Sequence, residues 1–128
     1  MRNDARVNAF ALIFEGLFHE CDEKLTEENL KPLKKEEDKQ FFDEIMTAFH
    51  AHKDEMKSQI EAHLKNFSFD RLFKIDLALV FLALTEIEFC GTPKAVAINE
   101  TLDLAKKYST EKSHKFINGL ISAIINEK

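Results

Sequence analysis

Tryptophan is absent from this 128-residue sequence, and glycine, proline and cysteine number only three, two and two. So few turn-forming residues leave little punctuation for the many tight corners of a β-sandwich or barrel, and an all-α chain is predicted. Cys21 and Cys90 stand far apart with no CxxC spacing, a usage that suits a reducing compartment rather than a disulfide framework. The longest uninterrupted apolar run, Leu77 to Leu84, has eight residues, far short of the ~20 of a membrane span. Charge begins at Arg2 and no signal-peptide apolar region follows. A soluble, cytoplasmic protein with no membrane partner is expected. What the chain does have is core material: 45% hydrophobic residues and 12 phenylalanines, which argues against disorder. The length suits a single domain, or two small bundles sharing a core.

The formal net charge of −5 argues against coating nucleic acid by bulk electrostatics. The charge is unevenly spread, however. Residues 19–61 carry 7 basic and 13 acidic side chains, whereas residues 104–128 carry 5 basic and 2 acidic. Both arginines of the N-terminal 18 residues, Arg2 and Arg6, lie in the first six positions. An acidic chain can therefore still present local cationic surface at its two ends.

Val7, Phe10, Ala11, Phe14, Leu17, Phe18 and Cys21 recur at helical spacing and predict a helix over about residues 4–21. Asp22 to Lys39, charge-rich and containing Pro32, reads as a solvated connection. Phe41, Phe42, Ile45, Met46 and Phe49 form a second stripe, and Met56, Ile60, Leu64 and Phe67 a third. No Gly or Pro marks a bend near His50–Lys53, so the sequence leaves open whether these are one helix or two. Ile75 to Phe89 is apolar on nearly every face, which predicts a buried central helix of about residues 75–90. Gly91 suits a left-handed helix terminus. Thr92 is expected as the next N-cap with Pro93 at the first helical position. Ala95, Ile98, Leu102 and Ala105 are expected to face inward. Ser109 or Thr110 is expected to cap a last helix whose apolar face comprises Phe116, Ile117, Leu120, Ile121, Ile124 and Ile125. Six to seven helices result, with no repeats.

The spacing of potential ligands and nucleophiles argues against chemistry. A di-iron bundle needs two facing Glu-x-x-His pairs, and only Glu111 and His114 fit. His50 and His52, two residues apart, point in different directions on one helix, so no metal and no other cofactor are expected. No serine sits in a glycine-rich elbow, and neither cysteine has a local cationic partner. Both read as buried small hydrophobes. Three glycines scarcely build a phosphate-binding loop. Catalysis is not expected.

Nucleic-acid binding has a better footing. Arg2 and Arg6, four apart at a helix start, can share a face, and the free N–H groups of that end favour phosphate. Lys112, Lys115 and Phe116 set two cations beside an aromatic ring, the combination with which single-stranded RNA is held by stacking and phosphate neutralisation. Each also has a plain structural role: the lysines as solvated surface, Phe116 as core.

Two motifs carry a family likeness. The stretch Pro93-Lys-Ala-Val-Ala-Ile-Asn-Glu-Thr-Leu-Asp-Leu-Ala-Lys-Lys107 resembles the signature of the NusB family of bacterial transcription antitermination factors. Ser113-His-Lys-Phe-Ile-Asn-Gly-Leu-Ile121 is similar to that family's Ser-x-x-Phe-Val-Asn-Gly-Val-Leu pattern. Arg71-Leu72 with the apolar helix reaching Glu86 resembles its central helix, and Ala5-Arg6 with Ala9 and Leu12 its arginine-rich opening. The resemblance spans nearly the whole chain in order. It implies two packed three-helix subdomains, about residues 1–67 and 68–128, within one domain. It implies binding of boxA, a short single-stranded RNA element of ribosomal RNA leaders, together with NusE, a small-subunit ribosomal protein. Other Nus factors and RNA polymerase are implied indirectly, the polymerase then resisting termination. By position, Arg2 and Arg6 correspond to the N-terminal basic motif, and Lys115 and Phe116 to the RNA-contacting part of the last helix, with Phe116 stacking on a base. Lys112 joins the candidate RNA surface by its spacing alone. Asp76 corresponds to an acidic position facing NusE.

Asn99 and Glu100 read as packing or capping residues rather than RNA contacts, and Gly119 as a site of close helix approach, with an RNA contact as its alternative. Asn3 and Asp4 replace residues that are often basic in the family, so weak boxA affinity is expected for the chain alone, with NusE supplying much of the rest. Because the sequence ends at Lys128, a free-standing member is expected rather than the NusB-like domain of an RNA methyltransferase. A homodimer is compatible with the resemblance, and the sequence itself gives no vote. The alternative from another class is a helical protein–protein adaptor that has lost direct RNA binding.

Overall fold

Eleven consecutive buried residues, Asp76 to Glu86, form the axis around which the other described helices are arranged. The computed structural model describes residues 2–18, 33, 35–64, 74–109 and 112–126. Among them are five helices and no strand: α1 Arg2–Phe18, α2 Glu36–Ala62, α3 Lys74–Phe89, α4 Lys94–Tyr108 and α5 Ser113–Asn126. The all-α class is as expected. Helix α3 packs against all four others, α1 pairs with α2, α4 with α5, and α2 also meets α5. An isolated helix apolar on every face has no stable place in water, so the sequence of α3 demands this enclosure.

The expected six to seven helices exceed the five among the described residues, in part because the second and third stripes belong to the single 27-residue α2. Its buried residues Phe41, Ile45, Phe49, Met56 and Ile60 stay in phase on one face, and no Gly or Pro interrupts them. Helix α2 also starts earlier than the solvated connection allowed. Glu36, Glu37 and Asp38 form its first turn, where acidic side chains favour the positive end of the helix dipole. Phe49 meets Phe81 of α3 edge-on at 5.8 Å between centroids, and Thr85 donates to the Phe81 carbonyl at 2.7 Å. Cys21, Phe67, Arg71, Leu72, Thr110 and Glu111 lie outside the described residues.

Gly91 adopts φ 73°, the left-handed conformation expected after α3. The Thr92 backbone N–H returns to the Glu86 carbonyl at 3.0 Å, closing the helix end. Thr92 does not cap α4. That position belongs to Pro93, whose carbonyl accepts from Ala97, while the Thr92 hydroxyl turns back to Glu86 Oε1 at 3.2 Å. The inward face of α4 is also shifted from the expected one: Ala97, Ile98, Thr101, Leu104, Ala105 and Tyr108 are buried, whereas Ala95 is exposed. Tyr108 reaches α1, tilting against Phe10 at 5.4 Å. In α5 the expected apolar face is present, with Ile117, Leu120, Ile121 and Ile124 buried. Lys94 ties the start of α4 to the end of α5 by donating to Asn126 at 2.9 Å.

Candidate nucleic-acid interface

Helix α5 begins with Ser113 directly after Lys112, and a helix repeats every 3.6 residues. Lys112, Lys115 and Phe116 therefore fall on neighbouring positions of its first turn. Both lysines are exposed, and Phe116 is half-buried, packed by one side against the core. Leu120, Ile121 and Ile124 anchor the same helix from beneath, so its outer face is held in a fixed attitude. Across the short connection, Lys106 and Lys107 of α4 are exposed as well, with the Lys107 ammonium 5.3 Å from the Tyr108 ring centre. They sit in the last turn of α4, where a cation complements the negative helix end. The charge excess of residues 104–128 is visible in the sequence, whereas the exposure of these two lysines depends on how α4 is turned against the core.

Arg6 is placed differently from Lys112 and Lys115. It is only 5% exposed, and its Nε donates to both carboxylate oxygens of Glu86, at 2.8 and 2.9 Å. Nη1 lies 4.0 Å from Glu100, and the guanidinium stands 5.2 Å from the Phe41 ring centre. A guanidinium so engaged joins α1 to α3, α4 and α2, and its Nε is not available to phosphate. Burial pushes the Glu86 carboxyl above the ordinary range, against the opposing pull of Arg6 and Thr92. Glu86 thus serves three elements at once, a role no local pattern signalled. Glu100, half-buried, lies at ion-pair distance from Arg6, whereas Asn99 is exposed. Arg2 opens α1, and its side chain lies outside those described.

Asp76, expected against NusE, is 4% exposed. One carboxylate oxygen accepts from Ser109 at 2.5 Å and the other from Ser113 at 2.9 Å, with the two hydroxyls 2.8 Å apart. The carboxylate therefore binds the end of α4 and the start of α5 to the head of α3. Ser109, expected as a cap of α5, contributes to this joint instead.

Among the described residues no three His, Cys, Asp or Glu side chains gather at metal-binding distance. His52 lies flat on Phe89, 3.8 Å between ring centres. Burial, aided by Glu44 and Glu86, pushes the Cys90 thiol up to about 11, so it holds its proton at neutral pH and is a poor nucleophile. Among the described residues, no helix is long and apolar enough to cross a membrane.

Comparison with known proteins gives a consistent result. The model of the NusB family matches residues 3–126. The transcription antitermination protein NusB of Finegoldia magna is 38% identical, the alignment covering 99% of this chain and 95% of that protein. Its counterpart from Listeria monocytogenes is 35% identical over 98% and 97%. Among solved structures, a crystal structure of the antitermination factors NusB and NusE in complex with dsRNA superposes with a TM-score of 0.83. That structure shares 30% identity and is covered to 97%, with 99% of this chain matched. The solution structure of NusB from Aquifex aeolicus gives 0.75 at 31% identity, covering 98% of this chain and 87% of that one. A likeness that runs through every described helix, and nearly the full length of both partners, places this protein in the NusB family.

Proposed function

We propose that this chain is a transcription antitermination factor that binds boxA-type single-stranded RNA together with NusE, and that it performs no catalysis. The observation that carries the RNA surface is the first turn of α5: exposed Lys112 and Lys115 beside a half-buried Phe116. A ring held by the core on one side stacks a splayed base without losing much side-chain freedom, while the ammonium groups neutralise the flanking phosphates. The solved relative in complex with NusE and dsRNA supports both classes of partner. The preference for an unpaired strand rests on Phe116, because a base inside a duplex offers no face to a ring. Lys106 and Lys107 extend the cationic path, and Arg2 contributes from the start of α1.

Asp76 supports NusE binding indirectly in this reading, by setting the α4–α5 joint, since its carboxylate is already committed to Ser109 and Ser113. The chain is read as one domain of two packed subdomains, about residues 1–67 and 68–128, with α3 central. The cytoplasm is the compartment in which RNA and NusE are met.

A gel-shift titration with boxA RNA, with and without NusE, tests the function. A ternary complex that forms only when this chain is present is the expected result. Phe116→Ala lowers RNA affinity by about tenfold, as for loss of one stacked base, while the helical circular-dichroism signal stays native. Complex formation with NusE but no RNA retention would establish the adaptor alternative, which the burial of Arg6 favours by reducing the number of free cations.

A further inference from the structure

Glycine in the interior of a helix costs about 1 kcal/mol relative to alanine. Gly119 occupies such a place, seven residues before the last residue of α5. The expected reason, close approach of a neighbouring helix, is absent. Gly119 is exposed, and a Cβ built on it meets nothing within 4 Å. Its backbone is helical, so no left-handed conformation requires glycine there either. Nothing within the described protein accounts for the missing side chain.

The surroundings of Gly119 do. It lies four residues after Lys115 and three after Phe116, hence on the adjoining surface of α5, one turn on. Ala123, one turn beyond on the same face, is also exposed and carries only a methyl group, so the surface running on from Gly119 stays low in relief. Gly16, the other helical glycine, also has open space around it. It is half-buried, however, and no described cation lies within one turn of it.

We propose that Gly119 is an RNA-contacting position, at which the missing side chain lets the sugar-phosphate backbone of a strand held by Lys115 and Phe116 lie directly against α5. This rests on the reading of the α5 surface given above and extends it along the helix. Glycine recurs where another backbone or a ligand must come close, because even a methyl group holds the two surfaces apart. In helix α5 this freedom is kept at the expense of helix stability.

The test is a series at one position, Gly119→Ala and Gly119→Leu in the full chain, compared with Lys115→Gln and Phe116→Ala. Binding of a boxA-type RNA oligonucleotide is measured in the presence of NusE, and thermal unfolding without RNA. Gly119→Ala raises the melting temperature by about 4 °C, from the gain in helix propensity. It lowers RNA affinity by about tenfold, equivalent to about 1.4 kcal/mol, and Gly119→Leu lowers it further. A purely structural glycine cannot give this pattern of higher stability with weaker binding. Native affinity in both Gly119 variants, with losses in Lys115→Gln and Phe116→Ala, overturns the proposal and leaves the α5 surface standing. Native affinity in all four variants, or no RNA binding by the unaltered chain, overturns both.

Discussion

Arg6 shows how far one side chain's role depends on its surroundings. Removing a buried cation leaves its partner charged and unsolvated, which costs more than the pair ever contributed. Arg6→Ala is therefore expected to lower unfolding free energy by about 3–5 kcal/mol, because it strands a fully buried Glu86 carboxylate. Adding Glu86→Gln in the same chain should recover part of that loss. Urea unfolding of the two single variants and the double variant checks this, and additive losses would disprove the coupling. A fall in RNA affinity on Arg6→Ala alone would then report a displaced α1 as readily as a lost phosphate contact, so the double variant is needed to interpret it.

At the level of the helices, the ends matter as much as the faces. The α3–α4 corner turns on Gly91 at φ 73°, and the Thr92 N–H and hydroxyl both return to Glu86. Gly91→Ala leaves room for the added methyl group but forces an unfavourable backbone conformation. A loss of about 1 kcal/mol in chemical unfolding is expected, the usual cost of placing a side chain in the left-handed region. The same substitution at Gly119 has the opposite sign, because that residue is helical. Two glycines of one chain thus separate backbone need from ligand access. The helices also show what periodicity conveys and what it misses. Stripe spacing marked the faces of α2 and α5, where one side meets solvent. It misphased α4, where Ala97, Thr101 and Leu104 are inside, because small and polar residues carry little periodic signal.

The molecule as a whole is sensitive to pH through its buried centre. In the folded state burial raises the Glu86 carboxyl above its ordinary value of 4.5, so the folded chain holds that proton more tightly than the unfolded chain. Between 4.5 and the raised folded value the native state binds more protons. The contribution of Glu86 to stability therefore falls as pH rises through that window and is level above it. Glu86→Gln removes this dependence. Melting temperatures of the two proteins, measured upward from about pH 4.5, should show the unaltered chain losing ground to the variant as pH rises. A constant difference across the series would contradict the assignment.

Composition and spacing were sufficient for the all-helical class, for the buried α3 and for the cationic first turn of α5. These properties follow from which side chains lie within a turn or two of one another, and the chain order already records that. The positions of Arg6 and Asp76 belong to the tertiary structure. Glu86 is 80 residues from Arg6, and Ser109 and Ser113 are 33 and 37 from Asp76. A charge in water and a charge enclosed by its counter-charge are the same letters in a sequence. Only the packing of α1, α4 and α5 around α3 decides that these two face inward, while Lys112 and Lys115 face out. The partition is one of solvation: local order sets which groups are available, and long-range contact sets which of them water, or RNA, can reach.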